Sequence, residues 1–175
     1  MTKTLVLLGY MGCGKSVLGK RLAQLKSLLF TDLDDYIESH EKTTISQLFE
    51  KHGELYFRHK ERFYLEKLIS ECSHNVISLG GGTPCYFNNI DYVNQKEQIV
   101  SFYLKTAPKT LAERLFNQKS HRPMIAHLNS QQDLVAYIAK HLFERIPFYA
   151  MAQHHVITDH KSVDDLAHEM DGLLT

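Results

Sequence analysis

The sequence carries no excess charge of either sign: Lys and Arg total 20, Asp and Glu total 20, and the formal net charge is zero. A chain that lives on nucleic acid has a basic excess, as does one that lies on an anionic membrane surface. Neither partner is expected here. Long apolar runs are also lacking, and none approaches the ~20 residues of a bilayer-spanning helix. The short apolar stretch Leu5–Leu8 leads into a glycine loop rather than a cleavage site, so a buried first strand is expected, not a secretion signal. Cysteine is scarce: Cys13, Cys72 and Cys85 make an odd count with no Cys-x-x-Cys spacing. A reducing, cytoplasmic compartment fits. Histidine is plentiful, but no His-Glu-x-x-His occurs. The densest group is His154, His155 and His160. Adjacent histidines on a strand face opposite ways, so surface positions fit better than a shared metal. No repeat or low-complexity stretch is present.

What remains is an ordinary globular composition, with 43% apolar and 23% charged residues in 175. One domain spanning residues 1–175 is expected, large enough to bury a core without disulfides. Strand-like and helix-like segments alternate, the pattern of an α/β fold around a parallel sheet. Strands are expected at 5–8, 28–31, 75–79, 99–104 and 155–158. Helices are expected at 15–25, 35–40, 54–72, 88–96, 108–116, 130–145 and 163–173. Thr44-Ile45-Ser46-Gln47 reads as a capping box opening a short helix that Gly53 closes. Leu55, Phe63, Leu65, Leu68 and Ile69 are the core candidates of the long helix after it. Pro147 should interrupt or kink the end of its helix. Two excursions stand out, at about 33–62 and a polar lid-like loop at about 117–129.

Gly9-Tyr10-Met11-Gly12-Cys13-Gly14-Lys15-Ser16 matches Gly-x-x-x-x-Gly-Lys-[Ser/Thr] between an expected strand and helix. The glycines let successive N–H groups face one anion, and the helix adds its positive end. Lys15 can reach the β- and γ-phosphates, and the Ser16 hydroxyl can ligate Mg²⁺. A nucleoside triphosphate is therefore expected. Cys13 sits at a helix N-terminus, which lowers a thiol's pKa; reaction with thiol reagents and an inert, inward-turned side chain both remain open.

Three further signals concern the acceptor, each with a plainer alternative. Asp32 and Asp34 close the second strand, where doubly wound sheets bind ligands, but a helix N-cap pair would look the same. Arg58 and Glu61 are i,i+3 helix neighbours, so Glu61 can hold the guanidinium; a surface ion pair is the alternative. Gly80-Gly81-Gly82 follows the third strand directly. Such a run admits close approach to the main chain, or is a flexible turn.

Taken with Arg122-Pro123 and Glu144-Arg145-x-Pro147-x-Tyr149, these motifs resemble the shikimate kinase family over nearly the whole chain. The resemblance implies a P-loop kinase fold of the nucleoside monophosphate kinase type, with a five-stranded parallel sheet flanked by helices. It implies transfer of the ATP γ-phosphate to the 3-hydroxyl of shikimate, a step toward chorismate and the aromatic amino acids. Mg²⁺ is the implied cofactor, and a cytoplasmic monomer the implied form. Asp34, Arg58, Gly80, Gly81, Gly82 and Arg145 are implied to hold shikimate. Gly12, Cys13, Gly14, Lys15, Ser16, Val17, Arg114 and Arg122 are implied to hold ATP. Lys15, Asp34 and Arg122 are the implied catalytic residues, and Ser16 and Asp32 the metal-side pair. Val17 stands where the family usually has threonine, and Lys161 is the nearest candidate for a basic residue beside adenine. The rivals are another small P-loop kinase, such as a gluconate or nucleoside monophosphate kinase, and a nucleotide-dependent switch. No Asn-Lys-x-Asp guanine reader is present for a GTPase switch.

Overall fold

Every residue of β1 (Thr4–Leu8) is buried. A strand covered on both faces has no reason to alternate, which accounts for its continuous apolar run. The computed structural model describes residues 3–71, 74–116, 125, 127, 128 and 130–174. In it β1 is the central strand of a five-stranded sheet of order β2-β3-β1-β4-β5. The other strands are β2 (Leu29–Asp32), β3 (Asn75–Ser78), β4 (Ile99–Lys105) and β5 (His154–Ile157). All pairings are parallel, with Leu5 opposite Val76 and Val100, Asp32 opposite Ser78, and Phe102 opposite His154.

The helices are α1 (Lys15–Lys26), α2 (Leu33–Glu41), α3 (Ile45–Glu71), α4 (Asn89–Asn94), α5 (Pro108–Phe116), α6 (Gln131–Tyr149) and α7 (Val163–Gly172). Among them α1 packs on α7, α5 on α6, and α2 on α3. Leu7, Leu22, Leu65, Phe102, Leu111 and Ile138 are among the buried side chains that join sheet to helices. No helix of the described residues is long and apolar enough to cross a membrane.

Local signals place most element ends. Thr44 and Gln47 cap each other reciprocally at 3.1 and 3.2 Å, as the capping-box spacing predicts. Gly53, at φ 80° and ψ 172°, breaks the helical path of α3. Ser130 caps α6 and Ser162 caps α7 through side-chain bonds to the third residue on.

Three expectations change. α2 begins at Leu33, not Asp35: Asp32 is its N-cap, accepting from the Asp34 N–H at 3.1 Å, so Asp34 lies in the first helical turn and not on an extended strand. α6 runs through Pro147 to Tyr149. A proline in the last turn removes one bond, and the Ala150 N–H resumes the ladder on the Ile146 carbonyl at 2.8 Å. On α3, Leu65, Leu68 and Ile69 are buried, but Leu55 is 68% and Phe63 55% exposed. The buried stripe instead takes in Phe57, Arg58, Glu61 and Tyr64. Helical spacing turns 55 and 63 off that face.

Candidate active site

A cleft of ≈ 510 Å³ opens at the carboxyl ends of the strands, where a doubly wound sheet is expected to bind its ligands. The phosphate loop forms its floor. Gly14, at φ 101°, brings the loop into α1 with a backbone that a side chain would strain. Lys15 points back over the loop, its Nζ donating to the Gly9 and Tyr10 carbonyls at 2.9 and 3.1 Å. The Ser16 hydroxyl donates to Asp32 Oδ2 at 3.0 Å, so the metal-side pair is assembled. Arg114 reaches from α5 to the Gly12 and Cys13 carbonyls at 3.3 and 3.4 Å. At the far end the cleft is lined by Thr158, Lys161, Val163 and Leu166. Lys161 is held there by Glu169 at 2.6 Å. Val17 is 61% exposed at the cleft's rim.

Cys13 lines the same loop, but only 2% of it is exposed. Its sulfur lies beneath Gly9, 3.0 Å from where a Cβ would stand, and the thiol is turned inward. The inert alternative is the one the geometry supports. Arg122 and the segment around it lie outside the described residues, as does Cys72.

The acceptor side is built around the glycine triplet. A Cβ on Gly80 would stand 2.8 Å from Asp34 Oδ1, and one on Gly82 would stand 2.6 and 2.8 Å from Arg58 Nη2 and Nη1. The triplet is therefore no flexible turn: it is the clearance that lets a carboxylate and a guanidinium approach the main chain. A Cβ on Gly81 would meet Arg145 Nη1 and the Met11 N–H nitrogen, both at 3.6 Å. Tyr149, one turn beyond Arg145, holds this strand of backbone by donating to the Gly81 carbonyl at 2.5 Å. Sequence reasoning placed Asp34, Arg58, Arg145 and the triplet in one site, and the structure brings them together.

Arg58 and Glu61 are no surface pair. Arg58 is 8% and Glu61 1% exposed, with Nη1 donating to Oε2 at 3.0 Å. Glu61 also accepts from the Thr83 hydroxyl at 2.6 Å. Burial works against the Arg58 charge, but Glu61, Tyr86 and Glu54 together more than offset it and raise the guanidinium's pKa. Burial raises the Glu61 carboxyl, against the pull of Arg58. Asp34 is pushed up to about 7, first by burial, then by the neighbouring Asp32 and Glu61 carboxylates, with Lys15 opposing. Two groups escape sequence reasoning. Glu54 accepts from Arg58 and from Tyr86, and Tyr10 in the phosphate loop bonds His141 on α6 at 3.0 Å.

The residues present suit a hard divalent cation. Ser16 and Asp32 bring two oxygen ligands together beside the phosphate loop. The Ser78 hydroxyl, buried at the end of β3 opposite Asp32, has no hydrogen-bond partner among the described residues. No group of three His, Cys, Asp or Glu among the described residues could hold a metal on its own.

A glycine-rich phosphate loop at the centre of a parallel sheet, sharing one cleft with Asp34 and with a glycine triplet on which Arg58 and Arg145 pack, defines a P-loop kinase with a small acceptor. Comparisons with known proteins narrow the class. The profile of the family described as shikimate kinase matches residues 11–172. A shikimate kinase of Flavobacterium johnsoniae is 42% identical over 170 residues, covering 97% of this chain and 98% of that protein. The crystal structure of shikimate kinase from Bacteroides thetaiotaomicron superposes with a TM-score of 0.89 at 34% identity, covering 98% of each chain. That of the Acinetobacter baumannii enzyme in complex with shikimate gives 0.84 at 28% identity, over 99% of this chain and 93% of that one. The chain belongs to the shikimate kinase family and is an ATP-dependent kinase of aromatic amino-acid biosynthesis.

Proposed function

We propose a division of labour for the transfer of the ATP γ-phosphate to the 3-hydroxyl of shikimate. The observation that carries it is the cluster of Asp34, Arg58 and Arg145 around the glycine triplet, with Asp34, Gly80 and Gly81 lining the same cleft as Lys15. Arg58 and Arg145 take the shikimate carboxylate, a planar anion that suits guanidinium forks. Asp34 accepts hydrogen bonds from ring hydroxyls, including the attacking one. Lys15 leaves its loop carbonyls for the phosphates, and the loop N–H groups hold them. Arg114 and the 158–166 segment flank the base, with Lys161 at its edge. Arg122, outside the described residues, is proposed to neutralise charge on the transferring phosphate.

Ser16 would hold Mg²⁺ directly and Asp32 through water; bound, the ion supplies neutralisation of phosphate charge. The transition state of such a transfer is loose, so positioning and charge dominate over covalent help. Asp34 then matters first as an orienting acceptor and second as a base. A monomer is the working form we propose. Cys13 and Cys85 are free thiols, which supports a cytoplasmic setting.

The test is Arg58→Lys and Arg145→Lys, assayed for both substrates. Each keeps a charge and loses the fork. Shikimate KM should rise about 10–100-fold, the worth of a charge-assisted hydrogen bond or two, with ATP KM nearly unchanged. An equal loss of ATP binding would overturn the assignment.

A further inference from the structure

Glu54 is the first residue after the Gly53 break in α3. From there it falls four residues before Arg58 and seven before Glu61, which puts all three on one helical face. A single oxygen of Glu54 accepts from Arg58 Nε at 3.3 Å, from Arg58 Nη2 at 3.2 Å and from the Tyr86 hydroxyl at 2.8 Å. Glu61 takes Nη1 from the other side at 3.0 Å.

A guanidinium has five N–H groups. Glu54 occupies one on Nε and one on Nη2, and Glu61 occupies one on Nη1. Two remain, one on each Nη nitrogen, and a carboxylate that accepted both would be held by a fork. The Tyr86 ring lies 4.2 Å and the Phe57 ring 5.2 Å from the guanidinium carbon, so the plane is confined as well. We infer that Glu54 is a positioning residue for the acceptor carboxylate. Braced by Tyr86, it orients Arg58 so that only the Nη1–Nη2 edge is offered to substrate. Stability is a poor reason for the contact. The Glu54 side chain is 54% exposed, and such pairs contribute little. Orientation is what a second carboxylate adds once Glu61 has already met the charge. The opposite role is also conceivable for an acid beside an anion site: Glu54 could be a resident anion that substrate must displace. The two roles predict opposite signs.

The assignment rests on Arg58 reading the acceptor carboxylate. Glu54→Ala, Glu54→Gln and Tyr86→Phe in the full chain test it, with shikimate binding measured calorimetrically without ATP and steady-state constants for both substrates. Glu54→Ala should weaken shikimate binding about tenfold, the effect of one misplaced charged hydrogen bond, and leave kcat and ATP KM nearly unchanged. Glu54→Gln keeps an acceptor oxygen and should recover most of the loss. Tyr86→Phe should cost about twofold to threefold. Tighter shikimate binding by Glu54→Ala would make Glu54 a displaced anion, and unchanged binding would make it a bystander. A loss that Gln does not rescue, accompanied by a lowered Tm, would make it merely structural. Each of these overturns the assignment. Normal shikimate binding by Arg58→Lys would instead remove the reading beneath it, whatever Glu54 does.

Discussion

The two halves of the cleft are made of different materials. The phosphate half is mostly main chain: a loop of N–H groups, a helix end, and a lysine parked on the carbonyls of Gly9 and Tyr10. The acceptor half is mostly side chain: a buried guanidinium already held between two carboxylates and two aromatic rings. A backbone cradle can wait for its ligand at little cost, because its dipoles are partly met by water and neighbours. A buried arginine cannot wait alone. Leaving it unpaired would cost several kcal/mol, so its partners are built in before substrate arrives. On the proposed assignment, substrate specificity is stored as preset side-chain geometry, and phosphate affinity as chain path.

The sharpest break of this contrast is Asp34→Asn. An amide accepts on one side only, and its NH₂ must find an acceptor. Loss of rate should be of order 10²–10⁴-fold if a base is needed, and milder if orientation suffices, with ATP binding intact. Asp34 should also make activity acid-sensitive: as pH falls through about 7 the carboxyl takes a proton and ceases to accept two hydroxyls. The sign for stability is the reverse. A carboxyl raised to about 7 from its ordinary value of 3.8 favours the native state when protonated, and that contribution is lost as pH rises from about 4 to 7. Melting of the ligand-free protein in chelator should show Asp34→Asn more stable than the parent at pH 8, with the difference shrinking toward pH 5. A variant less stable at pH 8 would contradict the strained environment assigned to Asp34.

A smaller break separates the halves by glycine. Gly82→Ala drives a methyl into a guanidinium that has nowhere to retreat, with approaches of 2.6 to 2.9 Å. Overpacking of this kind costs roughly 1–3 kcal/mol, so shikimate KM should rise about tenfold with ATP KM unmoved. Gly12→Ala should do the converse, since its Cβ would meet Leu115 at 2.9 Å within the phosphate loop at φ 79°. Parallel loss of both substrates in either variant would show the halves to be one cooperative unit.

The smallest effect concerns the bond that crosses between them. Tyr10 belongs to the phosphate loop and His141 to the helix that carries Arg145, and they meet at 3.0 Å. Tyr10→Phe removes one part-buried hydrogen bond and should lower Tm by about 2–4 °C. Shikimate affinity should become less responsive to bound nucleotide, as titrations with and without ADP would show. Unchanged responsiveness would leave the bond a purely local one.

How much of this is legible in the sequence follows from the same contrast. The phosphate loop is a contiguous motif, so its residues announce their geometry directly. The triplet and the Arg58–Glu61 pair are legible only as fragments, and their burial is not. Nothing in a helical i,i+3 spacing distinguishes a surface pair from one 1% exposed. The start of α2 is misread because Asp32 at once ends β2, caps α2 and accepts from Ser16, and the pattern of aspartates fits each. The Glu54–Tyr86 and Tyr10–His141 bonds span 32 and 131 residues, beyond the reach of any local rule. Cys13 looks activated by its helix end, but which way a side chain turns beneath a loop is decided by packing.

The order of the sheet has a consequence for synthesis. β1 is translated before the other four strands of the sheet, yet it sits in the middle, between β3 and β4. Its neighbours begin only at Asn75 and Ile99, so a nascent chain that has already exposed the phosphate loop has no strand on which to seat it. Parallel pairing over such separations must close a long loop before any contact rewards it. The phosphate loop thus emerges before the strands that flank β1 and is among the last segments to acquire its shape. Until the fourth strand is made, the chain carries the nucleotide motif as text without carrying it as a site.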